Sequence, residues 1–326
     1  MPAATPLVRV VRSGVEESTH LGHVAVCDAK GRLIASAGDP DRLIFSRSSM
    51  KPLQAAVTLR ALGEPPPPEL VAIMCASHNA EPVHVRTVRR LLRFGRVAER
   101  DLGCPPDRPS RPDDVVRTAR PARVYHYCSG KHAGMLAAAV RSGMDPATYL
   151  EPSHPLQRAI VRAVRRGTGM DPAIGVDGCG APVHGVSVAA MATLFARLAS
   201  PETLGAWGPG AATAVSAMRA FPFLVAGTGR SDTAIMSEAP NVVCKVGAEG
   251  LHCAAVLDAG IGVAVRIADG SDRAASPALL RALGLLGVLD ERQLERLHRV
   301  ARPVVRGGGR PVGELVSRFR LRRTSG

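Results

Sequence analysis

A few short strings in this chain carry residues that can do chemistry. The first is Ser46-Arg47-Ser48-Ser49-Met50-Lys51-Pro52. Ser48 and Lys51 are three residues apart, so one helical turn brings the amine back over the hydroxyl. A neutral lysine there accepts the hydroxyl proton and makes the serine a nucleophile. Pro52 has no N–H and suits only the first turn of a helix, so the helix is predicted to begin near Ser49, with Ser48 at its N-terminal edge. Backbone N–H groups and the positive end of the helix dipole at such an edge would stabilise an oxyanion. A lone S-x-x-K is common by chance, so its weight depends on partners elsewhere in the chain.

Two further strings come later in order: Ser77-His78-Asn79, then Lys245-Val246-Gly247 on a predicted strand. S-x-x-K, S-x-N and K-T-G in this order is the pattern of serine enzymes of the penicillin-binding and β-lactamase type, which Lys245-Val246-Gly247 meets except at its middle residue. On that reading Ser48 attacks an acyl carbon and Lys51 takes its proton, while Ser77 with Lys245 relays a proton to the leaving group. Two lysines at close quarters disfavour each other's charge, which helps one stay neutral. The plainer alternative is that Ser77 caps an element and Lys245 is a surface lysine at a strand edge. A second cluster pairs Cys128-Ser129-Gly130-Lys131-His132 with Asp177-Gly178-Cys179. Each thiol stands at a predicted strand-to-turn junction, and together they could hold a soft metal such as zinc, although isolated cysteines are more often buried and inert. The loop Ala226-Gly227-Thr228-Gly229-Arg230-Ser231-Asp232 offers Thr228, Arg230 and Asp232 as site-lining groups, with Arg230 suited to grip a carboxylate. It lacks G-K-[ST], so it is not a phosphate loop.

The elements that must position these residues are strands at both ends and helices between. Leu7 to Arg12, Leu21 to Cys27 and Leu33 to Ala37 read as strands, the last two joined by an Asp28-Ala29-Lys30-Gly31 turn. Glu16-Glu17-Ser18-Thr19-His20 reads as a polar loop cluster, with His20 and His23 as hydrogen-bonded structural residues. Leu53 to Leu62, Val83 to Phe94, His154 to Arg166, Val186 to Leu198 and 210 to 220 are predicted helices, as is the alanine-rich run after Gly134. Glu69 to Ala76 is helical or strand-like, Val124 to Tyr127 strand-like, and 96 to 121 a long irregular excursion. Ile174 to Pro182 reads as a strand running into a glycine-rich turn. Asn241 to Val246, Leu251 to Leu257 and Gly262 to Ile267 form an antiparallel set, followed by helices over Pro277 to Leu289 and Glu291 to Val300. This predicts an α+β fold in one domain, 1–326, with its sheet built from about 7–45 and 235–305 and a helical region inserted over about 46–230.

Composition bounds the class. The 326 residues suffice for a full core, which scarce aromatics leave to Ala, Val, Leu and Ile. The net charge of +14 is mostly arginine, and residues 291 to 326 alone hold ten Arg against three Glu. No recognition-helix pattern, zinc-finger spacing or aromatic platform accompanies that charge, so nucleic-acid binding is the weaker reading of a solvated basic face. Seven scattered cysteines without C-x-x-C pairing argue for reduced thiols and a cytoplasmic location. The start Met1-Pro2-Ala3-Ala4-Thr5-Pro6 lacks the pattern of a signal peptide, and no apolar run reaches the length of a membrane span.

Taken together, these strings resemble the bacterial asparaginase II family, the rhizobial-type L-asparaginases with a serine β-lactamase-like fold. The resemblance runs from residue 10 to 270, through Glu17-Ser18-x-His20-x-Gly22, Arg47-Ser48-x-x-Lys51-Pro52, Ser77-His78-Asn79, Cys128-Ser129-Gly130-Lys131-His132-Ala133-Gly134, Asp177-Gly178-Cys179-Gly180-Ala181-Pro182, Ala226-Gly227-x-Gly229-Arg230 and Lys245-Val246-Gly247-Ala248-Glu249-Gly250. It implies hydrolysis of L-asparagine to aspartate and ammonia, with Ser48, Lys51, Ser77 and Lys245 as catalytic pairs. It further implies zinc held by Cys128, Lys131 and Cys179, a homodimer, and substrate contacts from Arg47, His78, Asn79, Asp177, Gly227 and Arg230. Lysine is an unusual zinc ligand, and the residues alone would favour His132. Tyr127, where an amide residue is expected, and Ala80, where glycine is usual, depart from the family pattern. Another amidase or acyl hydrolase of the β-lactamase type is the alternative enzyme.

Overall fold

A computed structural model describes residues 3–116 and 120–324. Three positions of the excursion (117–119), the first two residues of the N-terminal segment and Ser325-Gly326 lie outside the described residues. In chain order, β1 (Thr5–Arg12), β2 (Val15–Asp28), β3 (Leu33–Ala37) and β4 (Leu43–Phe45) precede the helices α1 (Lys51–Leu62), α2 (Pro68–Met74) and α3 (Pro82–Gly95). Then come α4 (Pro112–Val116), α5 (Ser129–Arg141), α6 (Pro155–Thr168), β5 (Ala173–Val176), β6 (Pro182–Ser187) and α7 (Val188–Ala199). Next are α8 (Gly208–Ala220), α9 (Pro222–Val225), α10 (Ser231–Glu238), β7 (Val242–Gly247), β8 (Leu251–Val256) and β9 (Ile261–Ile267). The chain ends with α11 (Asp272–Leu285), α12 (Glu291–Arg296), α13 (His298–Ala301), β10 (Val304–Gly307), β11 (Arg310–Ser317) and β12 (Arg322–Arg323).

The chain divides into two compact units. The first gathers the segments up to Ser49, Val186–Ser200 and from Ala234 onward. The second comprises Met50–Gly185 and Pro201–Thr233.

The first unit is built on one antiparallel sheet in the order β10-β11-β1-β2-β9-β8-β7, with β3 joining β2 and β12. N- and C-terminal strands thus share a sheet and the helical segment is inserted between them in sequence, the α+β arrangement expected. Helix α7 packs on β2, β8 and β9, and α11 packs on β1, β8, β9 and β11. The sheet also extends past residue 305, through β11 to Ser317.

Two sequence expectations fail, one in each unit. Glu16 to His20 is not a loop but the first half of the long strand β2. Ser13 and Gly14 both adopt positive φ, 49° and 82°, and make the tight hairpin from β1 whose twist suits paired strands. The exposed carboxylates are then matched across the strands, Arg9 to Glu16 at 3.1 Å and Arg12 to Glu17 at 2.8 Å. Val124 to Tyr127 is not a strand: Arg123–Tyr125 is a 3₁₀ turn. β-branched and aromatic residues gave it strand composition, but the run is too short and lacks a neighbouring strand to pair with.

The second unit packs α1 against α5, α6 and α8, and α2 against α3, α5 and α8. Helix α5 is buried on nearly every side, from Ser129 to Ala139, which its small residues permit. At Gly130 a Cβ would lie 2.0 Å from the Ile73 carbonyl, so only glycine lets α5 approach α2 this closely. The hairpin β5–β6 pairs Ala173 with Gly185 through Val176 with Pro182, and its turn carries Cys179. Strand β6 has no clear signature in the sequence; it continues to Ser187, whose hydroxyl accepts from the Ala190 N–H and caps α7.

Candidate functional site

In the first unit, Ser48 is buried in the 3₁₀ turn Arg47–Met50 between β4 and α1, so the α-helix proper begins two residues later than expected. Pro52 stands in the first turn of α1, as its missing N–H requires. Arg47 takes the left-handed φ of 44° and its guanidinium stands 3.9 Å from the exposed Glu249 carboxylate. Neighbouring Ser49 donates from its hydroxyl to the Lys245 carbonyl at 2.9 Å, tying the turn to β7. Lys245 is fully buried on that strand, and its Nζ donates to the Val246 carbonyl at 3.0 Å. The plainer reading of Lys245 as a surface lysine is therefore excluded.

In the second unit, Lys51 is buried in the first turn of α1, and its Nζ donates to the Ala76 carbonyl and, at 2.9 Å, to the Ser77 hydroxyl. It also stands 5.7 Å above the Tyr127 ring, so the position that departs from the family pattern lies against the amine. The loop holding Ser77 is pinned by backbone pairing: Ser77 N–H to Val225 O, His78 N–H to Tyr127 O and Asn79 N–H to Ala226 O. His78 has both ring nitrogens engaged, Nδ1 accepting from the Ala80 N–H and Nε2 meeting Ser129 Oγ at 3.0 Å. Burial, then the neighbouring His84, Lys51, His126 and Arg230, push its pKa well down, so it is a neutral positioning group. Ala80 sits at φ 58°, a left-handed conformation that explains why glycine is usual there.

Asn79 joins this loop to the next. Its amide nitrogen donates to the Thr228 carbonyl at 2.9 Å and its oxygen accepts from Arg230 Nη1 at 3.1 Å. Under both lies a residue that sequence reasoning missed, Glu81. Its carboxylate accepts from the Thr228 N–H and hydroxyl, both at 2.8 Å, and from Asn79 Nδ2 at 3.2 Å. Burial raises the Glu81 pKa, but these hydrogen bonds outweigh it and hold the carboxyl below its usual range. Gly227 closes against this carboxylate: its φ is 112°, and an added Cβ would lie 2.5 Å from Glu81 Oε1. The available signal was position, an acid two residues beyond Asn79 in a run with few other charges.

The thiols meet in the same unit. Cys128 stands at the N-terminal edge of α5, Lys131 in its first turn, and Cys179 in the β5–β6 turn. All three are buried, and Lys131 Nζ is 3.0 Å from Cys179 Sγ. Burial pushes the Cys128 thiol up, but a hydrogen bond from Cys179 and the charges of Lys51 and Lys131 outweigh it and hold the thiol well below its usual range. Burial lowers the Lys131 amine, yet the neighbouring sulfurs raise it overall. Cys179 is raised, chiefly by its hydrogen bond to Cys128 and by burial. Asp177 stays close, Oδ2 at 3.9 Å from Cys179 Sγ and Oδ1 accepting from the Gly178 N–H. His132 lies beside the group: Cys179 acts on its ring, and its Nδ1 is 2.6 Å from the Tyr149 hydroxyl. Two thiols and an amine converging in a buried space form a donor set that fits zinc, because a bound cation can replace the protons on all three.

The structure thus gathers Lys51, Ser77, His78, Asn79, Gly227 and Arg230 into one loop cluster, and Cys128, Lys131, Cys179 and Asp177 into another, both in the second unit. Lys51 and Lys131 both act through their charge on the Cys128 thiol. Lys51 bonds Ser77, the serine that the motif order alone pairs with Lys245.

The L-asparaginase II family profile matches residues 8–317, and the chain belongs to that family. Among curated proteins none matches the chain in sequence. Solved structures it is similar to include a β-lactamase from Mycobacterium bovis, at 21% identity and a TM-score of 0.45, covering 82% of this chain and 95% of that one. Another is a probable glutaminase from Bacillus subtilis complexed with 6-diazo-5-oxo-L-norleucine, at 13% identity and a TM-score of 0.38, covering 82% and 84%. Family membership makes this chain an amide hydrolase acting on a small molecule. No helix among the described residues is long and apolar enough to cross a membrane.

Proposed function

We propose that the protein hydrolyses L-asparagine to L-aspartate and ammonia through Ser48. The hydroxyl attacks the side-chain amide carbon while a neutral lysine takes its proton. Collapse of the tetrahedral intermediate breaks the C–N bond, and ammonia leaves with a proton relayed through Ser77. Water then attacks the Ser48 ester, aspartate departs, and the serine recovers its proton. The observation that carries this reading is the buried Lys51 amine held on the Ser77 hydroxyl, three residues along the chain from Ser48.

Arg230 has one arm of its fork on Asn79 and binds the substrate carboxylate with the rest. Asp177 receives the substrate ammonium, and Arg47 contributes positive charge to substrate binding. His78 and Gly227 act by shaping the loops. Cys128, Lys131 and Cys179 would hold zinc, which when bound supplies a fixed positive charge and fastens α5 to the β5–β6 turn. In the cell we place the enzyme in the cytoplasm as a homodimer.

Ammonia release from asparagine by purified protein tests the reaction. Wild type is expected to release it, with Ser48→Ala slower by about a thousandfold or more. No release by wild type, or equal release by the Ser48 variant, would overturn the reading.

A further inference from the structure

The first unit holds a cavity of about 470 Å³ lined by His23, Asp39, Arg42, Ile44, Phe45 and Arg266, among others. That size is typical of small-molecule sites. His23 on β2 stands directly opposite Arg266 on β9, so the two side chains share one face of the sheet. Arg42 comes from the segment before β4. Neither guanidinium makes a hydrogen bond or an ion pair with any described residue.

His23 adds a third donor. Its Nδ1 accepts the Asp39 N–H at 2.9 Å, so in the neutral ring the proton sits on Nε2. Nε2 has no hydrogen-bond partner among the described residues. Gly38 holds this loop close, since a Cβ there would lie 2.9 Å from His23 Nδ1. The one acidic side chain in the lining, Asp39, is turned to its own loop, with Oδ1 accepting from the Asp41 N–H at 3.0 Å.

Three donors from three segments, two of them permanently cationic, face a space with one carboxylate. Burial, together with the charges of nearby Arg47 and Arg42, works against the Arg266 charge, and Glu249 and Asp272 offset this only in part. Ile44 and Phe45 supply an apolar wall beside the charges. A guanidinium fork matches a carboxylate or a phosphate through paired N–H donors, and two forks match two negative charges.

We infer that this cavity binds a small divalent oxyanion, held by Arg42, Arg266 and His23. The recognised chemistry is shared by a short dicarboxylate and by phosphate. It is independent of asparagine hydrolysis, and its ligands do not include the proposed nucleophile or the Arg230 loop.

Calorimetric titration with succinate and, separately, with inorganic phosphate tests it on the full chain. At least one anion is expected to bind, and which one does so identifies the ligand class. Arg42→Ala, at an exposed position, and Arg266→Ala should each weaken binding by about tenfold or more. Arg230→Ala should leave it unchanged, which separates this cavity from the proposed substrate site. Arg266→Lys retains charge but loses the fork, and should fall between wild type and the alanine variant. Neither anion binding at about 10 mM, or binding that survives Arg42→Ala and is lost in Arg230→Ala, would overturn the inference. Thermal melting of each variant separates lost binding from lost folding.

Discussion

Two lysines buried in the same unit meet opposite surroundings. Lys51 ends on oxygens, the Ala76 carbonyl and the Ser77 hydroxyl. Lys131 ends on sulfur, 3.0 Å from Cys179. Oxygen acceptors orient an amine, and so suit proton transfer to and from a hydroxyl. Thiols pull the proton and the amine into an ionic cluster that a metal cation can replace. The charges of both lysines act on the Cys128 thiol, so the two settings differ in chemistry while sharing a neighbour.

The largest expected effect tests whether they are two functions. Lys51→Ala should lower kcat/KM for asparagine by about a thousandfold while zinc content, measured by mass spectrometry, stays at the wild-type level. Lys131→Ala should lower zinc affinity by about tenfold or more. Equal zinc loss in both variants would merge the two regions into one site. Negligible zinc in wild type and in Cys128→Ala alike would remove the metal and leave the serine chemistry standing.

The lysines also show what was legible in the sequence. Of 42 basic residues only four are lysine, at positions 30, 51, 131 and 245. Three of these four are buried, while arginine covers the surface. Arginine cannot give up its proton, so a chain that keeps lysine for its interior marks the positions where a neutral amine is usable. Ser48 with Lys51, and Cys128 with Lys131, were readable because each pair lies within one turn of chain. Cys179 reaches Lys131 through a hairpin whose pairing no local pattern encodes; the two thiol strings suggested Cys179 with Cys128, and only the family resemblance added Lys131. The α+β class was legible from period-two runs at both ends. The first half of β2 was not, because cross-strand Arg–Glu pairs stabilise a stretch with no apolar face. Glu81 was missed because its value lies in three donors from non-adjacent positions.

The loop cluster and the thiol cluster also differ in how they tolerate change. The thiols can be held together by a ligand from outside, whereas the loops depend on a fit within the chain. Gly227→Ala should therefore destabilise the protein by about 2–4 kcal/mol, since it adds strain at φ 112° to a contact 2.5 Å from Glu81 Oε1. Urea unfolding measures it, and saturating zinc should not restore the loss. Full restoration by zinc would show that the loops lean on the metal cluster.

The smallest effect is the most specific to the loop cluster. Glu81 has a folded pKa held below the ordinary carboxylate value of 4.5, because the Thr228 and Asn79 donors outweigh burial. A group with a depressed folded pKa contributes stability that is present above its unfolded pKa and lost as pH falls through the folded value. Glu81→Gln cannot lose a proton and leaves one Thr228 donor facing an amide N–H₂, at a cost of about 1–2 kcal/mol near neutral pH. The gap in unfolding free energy between wild type and Glu81→Gln should shrink as pH falls from about 5 toward 3. Chemical unfolding at stepped pH reads that gap directly. A gap of constant size across this range would show that Glu81 acts by shape alone, and that the loops around Asn79 and Arg230 are held without its charge.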